Sequence, residues 1–180
     1  MEKDIQAYID QAVKEAVDKQ FTAALKKNSK AAIIASKGTL DMAYPPLILA
    51  STCAALDIEC QVFFTFYGLE ILRKNKNAHL GVPPVGNPAM PVPVPNIIGM
   101  LPGMTAMATK MMNNWMGKVG VPTIPELLDT CVESDVKIIA CQMTMDVMGI
   151  KREELIDDLE LGGAATFLNY ATGCNITLFV

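Results

Sequence analysis

The sequence lacks the residues from which several common kinds of active site are built. It has a single histidine, His79, and no C-x-x-C pair among its 180 residues. The sequence therefore has too few histidines and paired cysteines for a zinc centre or a cysteine–histidine protease. We predict neither a metal nor a cofactor. The glycine-rich motifs that cradle nucleotides, G-x-G-x-x-G and G-x-x-x-x-G-K-S/T, are missing as well. These absences argue against most metal-dependent and nucleotide-dependent chemistry.

Charge is scarce too. Charged residues make up 19% of the chain, and the formal net charge is −4. Such a chain does not attract nucleic acid, and it has no basic patch interleaved with aromatic residues. The N-terminus also lacks the basic and then apolar regions of a signal peptide. With five cysteines, an odd count in a chain of this length, we expect free thiols in a reducing cytoplasm.

Short apolar runs alternate with helical segments along most of the chain. Four runs predict buried strands, at residues 31–35, 58–66, 136–140 and 175–180. Helical segments are predicted between them, at residues 47–56, 67–73, 123–133, 151–156 and 164–171. This alternation predicts the α/β class, with a mostly parallel sheet between helices on both faces, which makes three layers.

Two of the predicted helices have recognisable start signals. Pro45 and Pro46 precede the first helix and are tolerable only in its first turn, because proline has no backbone donor. Thr123 and Glu126 have the spacing of a capping box, in which each side chain satisfies the other's backbone N–H. We therefore expect a helix that begins at Thr123 and ends at about Glu133.

Residues 1–28 form a segment of their own, with the periodicity of an amphipathic helix. Apolar residues recur at three- and four-residue steps, and the positions between them are charged. The apolar stripe includes Ile5, Ile9, Val13, Val17 and Phe21. It does not keep the strict heptad of a coiled coil. We expect this helix either to cover one flank of the single domain formed by residues 29–180 or to make an oligomer contact.

Composition changes abruptly within an insertion at about residues 74–120. Seven of the twelve methionines and seven of the eleven prolines lie between Gly81 and Gly120, and no charged residue occurs from Leu80 to Thr109. Because prolines break helices, we do not expect a membrane span here. The pattern predicts an extended proline-rich stretch and then a helix with methionines and Trp115 on one face. We expect a flap on the protein's own core, a lid or an assembly surface.

Cys141 is the residue on which the functional argument depends. It directly follows the apolar run that ends at Ala140, and the carboxyl ends of parallel strands border the crevice where α/β proteins bind and react. A thiol reacts as the thiolate, which a helix N-terminus or a nearby cation favours. We therefore expect backbone N–H groups around residues 143–146 to face the sulfur. Lys37, beside the turn at Gly38, would lie close if the first and third strands are neighbours, as in the common doubly wound order; otherwise it is a solvated loop lysine.

The other four cysteines lie at positions typical of packing. Cys53 and Cys131 share helix faces with leucines, and Cys60 is in step with the apolar residues of its strand. Cys174 precedes the last strand, at the amino end of the sheet, and is the candidate for a second, resolving thiol. We expect the sulfur of Cys141 to be solvent-reachable and the other four to be buried, although Cys141 as a buried structural thiol remains an alternative.

The run from Cys141 to Gly149, CQMTMDVMG, resembles the DsrE/DsrF-like sulfur-relay family, and within it the branch often labelled peroxiredoxin-like. The resemblance covers about residue 30 to the end of the chain, insertion included. It also includes the following features: the 31–38 strand and turn, Asp41, Pro45-Pro46 and Gly162-Gly163. The P-x-x-x-T-x-x-C arrangement of peroxiredoxins is absent before Cys141, so that label finds no support.

The resemblance implies a small flavodoxin-like α/β domain that forms homo-oligomers, with a trimer favoured. Family members carry sulfur as a persulfide on a cysteine at this place, between rhodanese-like donors and TusA-like carriers. Carried over, that cysteine is Cys141. We expect Lys37, Gly38, Gln142 and Thr144 to be neighbours of the sulfur. The N-terminal helix has no clear counterpart in the minimal family members.

Three functional hypotheses follow from these observations. In the first, the chain is a sulfurtransferase or sulfur carrier that holds a persulfide on Cys141. In the second, it is a thiol redox sensor, oxidised at Cys141 and resolved by Cys174. In the third, it is a non-catalytic assembly module whose apolar insertion is the working part.

Overall fold

Five parallel strands form the sheet around which the other described residues are arranged. The computed structural model describes residues 11, 13–15, 17, 29–83 and 103–180. The strands are β1 (Lys30–Ala35), β2 (Glu59–Phe64), β3 (Lys137–Cys141), β4 (Glu160–Gly162) and β5 (Ile176–Phe179). They lie in the order β4-β3-β2-β1-β5, and every neighbouring pair is parallel. The predicted α/β class with a parallel sheet is confirmed.

Helices cover both faces of this sheet. They are α1 (Leu40–Ala55), α2 (Met104–Lys118), α3 (Ile124–Glu133), α4 (Gln142–Met148) and α5 (Ala164–Ala171). Short 3-10 helices occur at Phe66–Leu72, Asn77–His79 and Arg152–Glu154. Successive side chains of a strand point to opposite faces, so each strand contributes side chains to the apolar layer on both faces of the sheet. Together they give the predicted three layers.

The two layers differ in size. On one face, α1 and α3 pack against each other and on the strands, and the main core forms there around Leu47, Phe64 and Leu128. On the opposite face, a small cluster of buried residues lies beneath α5, and its members are Ala32, Phe63, Ile139, Cys141 and Phe167. The second face therefore depends on one short helix within the described residues.

Four strands and the helices α3 and α5 occur where the sequence predicts them, and the capping box of Thr123 and Glu126 is formed. β4 was not predicted, because three residues give no apolar run. The expectation that the first and third predicted strands are adjacent in the sheet is wrong, because β2 lies between β1 and β3. The sheet instead grows outward from β1 through β2, β3 and β4, and β5 joins the other side of β1.

The start of α1 was also predicted wrongly. The helix begins at Leu40, so Pro45 and Pro46 lie inside it and not in its first turn. A proline in a helix interior costs roughly 3 kcal/mol. Here Leu40, Ala43 and Tyr44, all upstream of the prolines, are buried in the main core. Burial of this first turn offsets the missing hydrogen bonds, which the sequence pattern did not reveal.

Residues 11, 13–15 and 17 are helical, as predicted for the N-terminal segment, and Val13 and Val17 are exposed there. The remainder of residues 1–28 and the proline-rich stretch at 84–102 lie outside the described residues. The predicted methionine helix is α2. Its Met112 and Met116 pack against the main core, whereas Met107 and Trp115 are exposed. Over the described ranges, no helix combines the length and apolar character needed to cross a membrane.

Two glycines fix the loops at the carboxyl edge of the sheet. A Cβ on Gly68 would lie 2.1 Å from the carbonyl oxygen of Ala35, and one on Gly38 would lie 2.2 Å from that of Tyr67. The loops that follow β1 and β2 therefore lie so close together that a residue with a side chain does not fit at Gly38 or Gly68.

We predict that Gly68→Ala destabilises the protein by about 1–3 kcal/mol, because the added methyl group forces the backbone at Ala35 to shift. The matched control is Gly117→Ala in α2, where no atom lies within 4 Å of the added Cβ. That control should stabilise the helix by about 0.5–1 kcal/mol. Urea denaturation of both variants measures the difference, and equal midpoints would contradict the steric account.

Candidate functional site

Cys141 is the last residue of β3 and the N-cap residue of α4. The apolar strand brings it to the carboxyl edge of the sheet, and α4 begins at the next residue, Gln142. The predicted position at the end of a strand and the start of a helix is confirmed. Opposite it on β4 lies Gly162, whose Cα pairs with that of Cys141 in the parallel ladder.

The expected exposure of Cys141 is wrong. Its relative exposure is 3%, whereas Cys53 and Cys174 are half-buried. The reason is the alternation of side chains along β3: Cys141 shares a face with Ile139, and that face lies beneath α5. Cys141 is therefore buried, with little of its surface open to solvent.

The surroundings of Cys141 are apolar and closely packed. Phe63 and Phe167, both members of the same buried cluster, stack with their ring centroids 5.3 Å apart. A Cβ on Gly162 would come within 2.8 Å of Cγ2 of Ile139, so only glycine fits beside this part of β3. Sequence reasoning missed both phenylalanines. Phe63 follows Val62 in an apolar strand, and the alternation of the strand was the signal that it faces the opposite layer.

Thr144, a predicted neighbour of the sulfur, ties α4 to the loop after β2. Its side chain is 2% exposed, and its Oγ1 accepts a hydrogen bond from the backbone N–H of Phe66 at 3.2 Å. The hydroxyl groups of Thr65 and Thr144 are also 3.2 Å apart and share a second hydrogen bond. Gln142, the other predicted neighbour on α4, is exposed.

The loop held by Thr144 has an unusual backbone. Phe66 has a φ of 47°, in the left-handed region that non-glycine residues rarely adopt. Its ring is exposed, as is that of Tyr67. The hydrogen bond to Thr144 helps to hold this conformation, so α4 and the loop after β2 form one connected unit at the carboxyl edge.

Lys37 and Gly38 lie further along the same edge. Because β2 separates β1 from β3, the loops after those strands are roughly 10 Å apart. Both residues line a cleft of about 440 Å³, and Cys141 is not among its lining residues: Lys37, Gly38, Thr39, Asp41, Met42, Tyr67, Glu70 and Pro83. Within it, Asp41 contributes a buried carboxylate oxygen to which no described residue donates a hydrogen bond.

The other cysteines lie toward the amino edge of the sheet. Burial raises the pKa of Cys131 to about 11, and its Sγ donates to the carbonyl oxygen of Leu47 at 3.6 Å. Burial also raises the pKa of Cys60, with a further contribution from the adjacent Cys53. These thiols stay protonated near neutral pH and are poor nucleophiles.

Cys174 is at the amino end of the sheet, as predicted. Its pKa is raised, chiefly by burial, and its Sγ donates to the carbonyl oxygen of Tyr170 at 3.4 Å. Three strand spacings, roughly 14 Å, separate the start of β5 from β3. A disulfide needs Cα atoms within about 7 Å, so Cys141 and Cys174 of one chain cannot pair without rearrangement of the sheet. Among the described residues, no group of three or more His, Cys, Asp or Glu side chains could hold a metal ion.

The sequence matches one protein family and is similar to two curated proteins. Residues 27–179 match the model of the DsrE/DsrF/DrsH-like family. The chain is 50% identical to the sulfur carrier protein DsrE2 of Allochromatium vinosum, over 86% of this chain and 99% of that protein. It is 33% identical to the uncharacterized protein YrkE of Bacillus subtilis, with the same coverage of 86% and 99%.

Two solved structures are similar at low identity. The ychN protein from E. coli aligns with a TM-score of 0.47 at 14% identity, over 84% of this chain and 99% of that chain. Protein MTH1491 from Methanobacterium thermoautotrophicum aligns with a TM-score of 0.49 at 11% identity, over 83% and 98%. The family match spans most of the sequence, and the 50% identity extends over nearly all of the first relative. The chain therefore belongs to the DsrE/DsrF/DrsH-like family.

Proposed function

We propose that this chain is a sulfur carrier that holds a persulfide on Cys141 and relays it between protein thiols. The observation that carries the proposal is the position of Cys141 at the carboxyl end of β3 and the start of α4. The proposal is supported by 50% identity to a protein named as a sulfur carrier. The residue and the persulfide chemistry are our own assignment.

The chemistry is an exchange of sulfane sulfur between thiols. The Cys141 thiolate attacks the outer sulfur of a donor persulfide, R–S–SH, so a new S–S bond forms as the old one breaks. The donor leaves as the thiolate R–S⁻, and Cys141 becomes Cys–S–SH. An acceptor thiolate then attacks the outer sulfur of the Cys141 persulfide and takes that sulfur, and Cys141 leaves as the thiolate. No external oxidant is needed, because one S–S bond replaces another.

Cys141 is better placed for this exchange than the other thiols. Cys60 and Cys131 are buried in the main core, where burial raises the pKa of each and keeps it protonated. Cys141 lies at the edge where α/β proteins react, and the small cluster around it is apolar. Such surroundings would keep water and free thiols away from a bound sulfur.

Gln142 and Thr144 are the neighbours that we assign to the sulfur site, since both are on the first turn of α4. Thr144 acts as a positioning residue, because its hydrogen bonds fix α4 against the loop at Phe66. Lys37 and Gly38 line the neighbouring cleft at the same edge, and we assign them to the wider surroundings of the sulfur site.

We further propose that rhodanese-like donors and TusA-like acceptors dock at the carboxyl edge, and that the chain forms homo-oligomers, with a trimer favoured. Exposed apolar side chains on this side of the molecule, including Met143, Val147 and Tyr67, support a docking role. All five cysteines are free thiols, which supports a reducing compartment such as the cytoplasm.

Sulfur loading tests the assignment of Cys141. After incubation with a persulfidated rhodanese, the wild-type chain should carry one added sulfur on Cys141, and Cys141→Ser should carry none. Cys174→Ser, which removes a half-buried thiol at the opposite edge, is the matched control and should load like wild type. Peptide mass spectrometry locates the sulfur. Equal loading of wild type and Cys141→Ser would refute the assignment.

A substitution of Thr144 tests its role as a positioning residue. Thr144→Val leaves the backbone N–H of Phe66 without its acceptor, so it should cost about 1–3 kcal/mol of unfolding free energy and slow the loading of Cys141. Thr130→Val is the control, because the Thr130 hydroxyl donates within its own helix at an exposed position. Urea denaturation and loading kinetics measure both effects, and indistinguishable variants would remove Thr144 from the site.

A further inference from the structure

The burial of Cys141 conflicts with any reaction of its sulfur with another protein. The residue is 3% exposed, whereas reacting atoms must approach to about 3–3.5 Å. Some neighbouring element therefore has to move before a second sulfur can reach it. The question is which element covers Cys141 and whether that element can separate from the sheet.

The covering element is α5. Of the buried cluster around Cys141, the residues Ala32, Phe63 and Ile139 belong to the sheet itself. Among the described residues, the member that comes from outside the sheet is Phe167, on α5. The partly buried residues around this cluster include Tyr170 and Ala171 of the same helix. Removal of α5 would uncover the face on which Cys141 lies.

The attachment of α5 is slight compared with that of the other covering helices. Phe167 is its one buried residue, whereas α3 buries Ile124, Leu127, Leu128 and Cys131. Phe167 stacks on Phe63, and Tyr170 donates a hydrogen bond to the carbonyl oxygen of Glu59 at 3.3 Å. The ammonium group of Lys30 also lies over the Tyr170 ring, 5.5 Å from its centroid. Segments with few buried apolar contacts open locally at a lower free energy than the whole protein.

Glycines lie at both ends of α5. Gly163 is its N-cap residue, and no heavy atom lies within 4 Å of a Cβ built there. Gly173 follows the helix and has only an ordinary contact, 3.6 Å from the carbonyl oxygen of Tyr170. Gly162, in contrast, is held tightly against Ile139. A Cβ would therefore fit at Gly163 and Gly173 but not at Gly162, and glycine has more backbone freedom than any other residue.

We propose that α5 is a lid over Cys141, hinged at Gly163 and Gly173 and closed by Phe167. In the closed state the lid shields the thiol; in the open state Cys141 becomes accessible while the main core on the other face stays intact. The lid goes beyond the proposed sulfur-carrier function and does not depend on it, because access to the thiol can be measured without any sulfur donor.

The test is the rate at which iodoacetamide labels each cysteine of the folded full chain, followed by peptide mass spectrometry. Cys131 is fully buried in the main core and serves as the reporter of global unfolding. For the wild type, labelling of Cys141 should depend on low urea concentrations much less steeply than labelling of Cys131, since local opening exposes little surface. Equal urea dependence of the two cysteines would overturn the lid.

Variants separate local from global opening. Phe167→Ala should speed the labelling of Cys141 by about ten-fold or more, because the closed lid loses its buried anchor. Leu168→Ala, on the same helix but 59% exposed, should leave that rate unchanged. Gly163→Ala should slow it by about two- to five-fold, because alanine restricts the hinge in a conformation that it can adopt.

Leu128→Ala provides the decisive comparison. Leu128 is in the main core, on the face away from α5. Its truncation therefore destabilises the closed and the open state of the lid equally. The variant should speed the labelling of Cys131 but not that of Cys141. If Leu128→Ala speeds both cysteines alike, Cys141 is reached by global unfolding and the lid is excluded. Sulfur loading is scored separately, so a chain with a lid that takes up no sulfur would refute only the carrier function.

Discussion

The structure depends on the alternation of side chains along β3. Ile138 and Ala140 face the main core, and Ile139 and Cys141 face the opposite layer. This alternation places the thiol at the edge where α/β proteins react and also beneath α5, in an apolar cluster. A shift of one residue in the register would move Cys141 into the main core, where Cys60 and Cys131 are held as protonated thiols.

The alternation of side chains along β3 thus accounts both for the burial of Cys141 and for its position at the reactive edge of the sheet. A persulfide has to be kept from water and from stray thiols, which favours an apolar surrounding, yet it has to meet a partner's sulfur. The main core is the larger of the two and depends on α1 and α3. Among the described residues, the second face is covered by one short helix with one buried side chain. This asymmetry lets the second face open while the fold persists, and it assigns stability to one face of the sheet and access to the other.

Much of the fold followed from local signals in the sequence. Apolar runs located β1, β2, β3 and β5, and the Thr123–Glu126 pair located the start of α3. The strand order and the start of α1 did not follow, because they are set by contacts between distant residues. For the site, the run after Ala140 placed Cys141 correctly in the fold, but its burial depends on α5, more than twenty residues later in the chain. No pattern within β3 reports what packs on it.

The stability of sulfur once it is bound shows whether Cys141 is a buried carrier site. A chain loaded with a persulfide is exposed to a small thiol, and the loss of the outer sulfur is followed in the folded state and in urea. We expect the folded chain to retain sulfur on Cys141 far longer than the unfolded chain. Loss at the same rate in both states, or sulfur found on Cys174, would contradict a buried carrier site at Cys141.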